Sequence, residues 1–155
     1  MKWYNVLLGI LILLSANSCW AAENTTELLS DSDYRNVTDG VLVEFGEDLN
    51  YSSFILDSYV KGNISRESAL ASTISAYVLN IHSINTVLRV EPAEKFSDYH
   101  NYLKLMLSDF QMYLWNIAKF YETNNGNYAL NAREKYNSTT ENYENALQER
   151  VLNFA

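Results

Sequence analysis

Leu70, Ile74, Tyr77, Ile81, Ile84 and Leu88 stand four, three, four, three and four residues apart, and nothing else in the chain restricts its fold so narrowly. This spacing places six apolar side chains on one stripe of an α-helix. A strand, whose side chains alternate with period two, would scatter them over both faces. Ser65 stands where a helix N-cap belongs, with Ile64 before it as a hydrophobic staple. Pro92 ends the segment and suits the first turn of a following helix.

Three further segments carry the same period. Upstream, Leu42, Phe45, Leu49, Ser52, Leu56 and Tyr59 form a stripe that Tyr34, Val37 and Val41 extend backwards. Ser30 or Asp31 can cap it, Asp31 and Asp33 suit the positive end of the helix dipole, and Gly62 fits a left-handed stop. Downstream, Phe96, Tyr99, Leu103, Met106, Phe110, Tyr113, Ile117 and Phe120 repeat until Asn124-Asn125-Gly126 breaks the pattern. The fourth stripe is weaker: Tyr136, Thr140, Tyr143, Leu147, Val151 and Phe154, with Ala129 and Ala132 ahead. Short connections between long helices force neighbours antiparallel. The expected fold is all-α, an antiparallel up-down-up-down four-helix bundle over residues 31–155, with Leu49, Ile81 and Phe110 in its core. A three-helix core with a detached or exchanged fourth helix is the competing arrangement.

Ahead of the bundle, Lys2, the apolar run Val6–Leu14 and the small or polar residues Ser15–Ala22 read as the three parts of a signal peptide over residues 1–21. The apolar run falls well short of the ~20 residues a bilayer span needs. Residues 22–30 read as a polar linker. Cys19, the one cysteine, sits at the cleavage boundary. Cleavage after Ala21 leaves a chain without thiol or disulfide, stabilised by burial alone. A lipid-modified Cys19 would instead give a membrane anchor, although Ala16-Asn17-Ser18 lacks the large aliphatic residue usual before such a cysteine. The formal charge of −8 repels phosphate backbones and anionic headgroups, which argues against nucleic acid and against electrostatic membrane docking.

The candidate chemistry is thin. His82 and His100, the two histidines, fall at the same height on helices joined near Pro92, as a bundle metal site would need. Each follows a stripe residue, however, and so is expected at a surface or boundary position, without a Glu-x-x-His partner set. No cofactor is expected. Asp31-Ser32-Asp33 begins like a calcium loop, and Arg35 then occupies a ligand position. No strand-turn-helix elbow supports a serine nucleophile, so catalysis is not expected. Tyr77, Tyr99 and Tyr113 on the stripes suggest a pocket between the second and third helices for a small amphipathic or aromatic ligand. The plainer expectation is that their rings fill the core. Glu44, Glu47 and Asp48, with Asp39 and Asp57, have little basic compensation and form the expected partner surface. Asn24, Asn36, Asn50, Asn63 and Asn137 begin Asn-x-Ser/Thr acceptor sequences for N-glycans, with Asn63 the best exposed. The function these features imply is an exported, non-enzymatic interaction or structural module that contacts a protein partner or its own copies. A ligand-binding bundle is the alternative.

Overall fold

The computed structural model describes residues 27–154 of the chain. The expected signal peptide, Cys19, Asn24 and most of the linker lie outside the described residues. What is described is all-helical apart from one short strand pair: α1 (Asp31–Val60), α2 (Arg66–Leu88), α3 (Ser97–Thr123) and α4 (Gly126–Phe154).

Local chemistry sets the helix ends. Ser30 caps α1 in an extended conformation, its hydroxyl accepting the Asp33 N–H. Gly62, at φ 74°, follows the C-cap Lys61 of α1. The Gly62 and Asn63 N–H groups then bond back to the Tyr59 and Ser58 carbonyls, closing the last turn as a left-handed stop does. Ser65 caps α2 the same way through the Ser68 N–H. Asn124 ends α3 in the left-handed region, and the Asn125 side chain accepts the Asn127 N–H at the start of α4. Between α2 and α3 the chain forms strand β2 (Val90–Glu91), which pairs in parallel with β1 (Glu27–Leu28), and then a single 3-10 turn, Glu94–Phe96. Pro92 therefore separates two helices and kinks neither.

Consecutive helices pack on one another. Tyr34, near the start of α1, stacks on Phe96 just before α3, and Phe96 stacks on Phe154, the last residue of α4. Asp39 of α1 takes two hydrogen bonds from Arg150 of α4, at 2.6 and 2.8 Å. At the far end, Tyr59 of α1 meets Phe120 and Tyr121 of α3.

The stripes differ in how well they mark burial. Along α3 and the turn before it the expected residues Phe96 to Ile117 are all buried, and His100, Leu107, Leu114, Ala118 and Tyr121 join them, because α3 is covered on a wide arc. In α2 the buried line runs one position earlier than the large residues, through Ala69, Thr73, Ala76, Asn80, Ser83 and Val87. Ile81, expected in the core, is half-buried, and Leu88 is exposed. Small residues at a contact let helix axes approach closely, and the larger neighbours then straddle its edges. Asn80 is tolerated inside because its amide donates to the Leu107 carbonyl at 3.0 Å. In α1, Thr38, Ser52, Ile55 and Ser58 are buried while Leu49, Leu56 and Tyr59 are half-buried. In α4 the buried residues are Ala132, Thr139 and Ala146, and the expected Leu147 and Val151 are exposed.

Candidate functional site

α2 contains no Asp, Glu, Lys or Arg from Ser68 to Leu88. Its large residues stand outside the buried line of small ones, so a surface helix carries a neutral, apolar flank. Leu88 is 52% exposed, with Leu70, Ile74, Tyr77, Ile81 and Ile84 half-buried on the same stripe; Val78, 45% exposed, borders it, and Leu79, 56% exposed, lies on the opposite side of the helix. Exposed apolar residues occur elsewhere too, but Phe54 lies one turn from Asp57 and Leu152 one turn from Glu149. The expected tyrosine pocket between α2 and α3 is not assembled around its three members. Tyr77 is half-buried against Trp115, at 6.4 Å between ring centroids. Tyr99 is fully buried near Tyr34 and Phe154, its hydroxyl without a hydrogen-bond partner.

Tyr113 does line open space, in a different place. A half-open cleft of about 500 Å³ lies among α1, α3 and α4. Tyr113, Ile117 and Phe120 of α3 form one wall, and Ala129 and Ala132 of α4 face them with side chains too small to close the gap. Tyr136 sets its ring 5.6 Å from that of Tyr113. The rim carries Asp57 and Arg133. Lys61 holds Asp57 at 2.7 Å, whereas Arg133 makes no ion pair among the described residues. Behind the wall Tyr121 is buried with an unpartnered hydroxyl, and burial together with Tyr113 raises its pKa.

His100, expected at a boundary, is buried in a correction to that reading: α3 is covered far enough round to enclose the flanking column. Its Nδ1 shares a 3.0 Å hydrogen bond with the Tyr34 hydroxyl. Burial, reinforced by the Lys104 ammonium, lowers its pKa to about 4, so the ring is neutral at pH 7. Its remaining edge borders a recess of about 340 Å³ with Ser97, Asn101 and Lys104. His82 is exposed on α2, its carbonyl accepting from Thr86. No group of three His, Cys, Asp or Glu that could hold a metal occurs among the described residues.

Glu44 and Glu47 are exposed on α1, and Glu44 accepts a hydrogen bond from Ser83 of α2. Asp48 is half-buried, and desolvation, then Glu44 and Glu47, push its carboxyl up to about 6. Asn36, Asn50 and Asn137 are exposed on helices, but the hydroxyls of their partner residues Thr38, Ser52 and Thr139 are buried and donate to the Tyr34, Leu49 and Lys135 carbonyls. Of the described acceptor sequences, only that of Asn63 lies in a connection, with Asn63 and Ser65 both exposed.

No described helix is long and apolar enough to cross a membrane. Compared with known family models, curated proteins and solved structures, the chain matches none.

Proposed function

We propose that the protein is an exported, non-enzymatic module that works by association, with the flank of α2 as its docking surface and a second copy of the chain as the occupant. The observation that carries this reading is the neutral flank itself: large apolar residues exposed along 21 uncharged positions of a chain whose formal charge is −8. Two acidic copies repel least where neither carries charge, and a 4-3-4-3-4 spacing is what a second helix of the same spacing packs against. An isologous pairing of α2 with its copy along the stripe would cover Leu70, Ile74, Tyr77, Ile81, Ile84 and Leu88 together, with Val78 at its edge. Glu44, Glu47 and Asp48 border this helix on its α1 side and carry the second reading, a basic protein partner. Asp48's raised pKa favours it, because a cation placed there would relieve the like-charge crowding.

We read the helices as up-down-up-down. Support comes from the meeting of Tyr34 with Phe96, of Phe96 with Phe154, and of Tyr59 with Phe120. The signal peptide belongs to the same proposal, as do acylation of Cys19 in its absence and a glycan on Asn63. Sedimentation velocity tests the association. The protein should sediment as a dimer as concentration rises, and Val78→Glu with Leu88→Glu should return it to a monomer of unchanged helicity. A wild-type chain that stays monomeric throughout removes the self-association reading. Capture by a basic partner that charge reversal at Glu47 and Asp48 abolishes would put the second reading in its place.

A further inference from the structure

We propose that the cleft among α1, α3 and α4 is a binding site for a small molecule with a flat apolar body and an anionic group. This site is independent of the α2 docking surface. Its volume of about 500 Å³ lies within the range of small-molecule pockets. The reason it exists is local: α4 presents Ala129 and Ala132 where α3 presents Tyr113, Ile117 and Phe120, so the two helices meet without filling the space between them. An apolar body gains by displacing water from such walls. The rings of Tyr113 and Tyr136, tilted 60° to each other, offer a face and an edge to an aromatic plane.

The rim fixes the sign of the ligand. Asp57 is paired with Lys61 at 2.7 Å, whereas the Arg133 guanidinium at the opening has no ion-pair partner among the described residues. A guanidinium pairs best with a planar or tetrahedral oxyanion. A carboxylate or sulfonate on an aromatic or short aliphatic body satisfies both features. A cationic amphiphile would meet Arg133 with like charge. An uncharged one would use the walls alone.

The test is fluorescence titration of the folded protein with 8-anilinonaphthalene-1-sulfonate, alongside its uncharged relative N-phenyl-1-naphthylamine. The sulfonate should bind saturably, one per chain, with an affinity on the order of tens of micromolar for a ligand of that size. Ala129→Phe, which fills the cleft, should weaken both dyes at least tenfold without lowering the melting temperature. If that variant does not fold, the smaller Ala129→Leu serves in its place. Arg133→Gln should weaken the sulfonate several-fold and leave the uncharged dye unchanged. Sulfonate binding that survives both filling variants would overturn the site, as would binding abolished by Val78→Glu, which would place the dye on the α2 flank. Equal weakening of both dyes by Arg133→Gln would overturn the anionic requirement.

Discussion

At one end of the bundle Tyr34, Phe96 and Phe154 stack ring on ring. At the other, Tyr113, Ile117 and Phe120 face two alanines across open space. The closed end takes Phe96 from the turn before α3 and the open end takes its wall from α3 itself, and they differ in what α4 brings to meet them. The closed end is also tied by charge. Arg150 grips Asp39 with two hydrogen bonds, Lys95 pairs with Asp31, and Arg35 lies 5.5 Å from the centre of the Phe154 ring. The open end has Lys61 with Asp57 and Lys119 with Glu122, neither joining two helices. The nearest pair between helices, Lys135 on Asp109, ties α3 to α4 one turn before Tyr113 and leaves α1 out. Stability should therefore be concentrated at the closed end, and the freedom to admit another molecule at the open one.

The largest test of that contrast is a pair of substitutions. Phe96→Ala at the closed end should cost about 3–5 kcal/mol in urea unfolding, since Phe96 is 1% exposed and its loss leaves a cavity between two aromatic neighbours, Tyr34 and Phe154. Ala129→Leu at the open end, where the alanine is half-buried beside the cleft, adds side chain toward existing volume and should fall within about 1 kcal/mol of wild type. If both lose several kcal/mol, the open end is packed as tightly as the closed one and the distinction fails.

A smaller effect comes from pH. His100, at the closed end, has a folded-state pKa of about 4 against 6.5 for a free histidine. The unfolded chain binds the extra proton between those values. The stability contributed by the neutral ring is therefore present above pH 6.5 and is lost as the pH falls toward 4, on the order of 1–2 kcal/mol by pH 5. Asp48 acts oppositely: its folded pKa of about 6 exceeds the ordinary 3.8, so acidification from pH 7 favours the fold. Thermal melts of wild type and of Asp48→Asn between pH 7 and 5 separate the two. The variant should lose more stability than wild type over that interval. A smaller loss would mean that the Asp48 carboxyl is not held above its ordinary range, and a variant that loses nothing over the interval would mean that the His100–Tyr34 pair does not hold the ring neutral.

How far the sequence carried differs from helix to helix. α3 was legible because it is covered by neighbours on a wide arc, so any large stripe on it is buried; Phe110 is where its spacing predicts. α2 misled for a physical reason. Its large residues are the most regular in the chain, but the contact is made by Ala69, Thr73, Ala76 and Ser83, whose small size lets the helix settle closely. Leu147 and Val151 of α4 were misplaced in the same way, by Ala132, Thr139 and Ala146. The missing charge between Ser68 and Leu88 was a readable sign of an unusual surface, and it points to the exposed flank directly. The cleft was not readable. It depends on which α3 residues stand opposite Ala129 and Ala132, and spacing within one helix says nothing of that.

The bidentate contact between Asp39 and Arg150 should appear as a coupling of about 1 kcal/mol in a double-mutant cycle of Asp39→Asn and Arg150→Gln. Both side chains are about one-third exposed, at 32% and 30%, which keeps the value near the top of the range for surface pairs and no higher. A coupling indistinguishable from zero would leave the closed end held by its rings alone.

The smallest effects come from removing single hydroxyls, and their sign is more telling than their size. Tyr34 and Tyr121 are each 1% exposed, one at each end, and burial raises the pKa of both so that each hydroxyl stays protonated. Tyr34 shares its hydroxyl with His100, whereas Tyr121 has no partner. Tyr34→Phe should cost about 1 kcal/mol or somewhat more, because the His100 nitrogen is left buried and unbonded. Tyr121→Phe removes an unsatisfied polar atom and should be neutral or stabilising by up to about 1 kcal/mol. Tyr99 supplies the control: it sits in the closed cluster, 6.3 Å between ring centroids from Tyr34, and its hydroxyl is also unpartnered. Tyr99→Phe should therefore behave like Tyr121→Phe despite its location. If Tyr121→Phe is costly while Tyr99→Phe is not, solvent entering through the open cleft is satisfying Tyr121. The wall behind Tyr113 would then be thinner than the side chains imply, and the difference between the ends would be one of hydration as much as of packing.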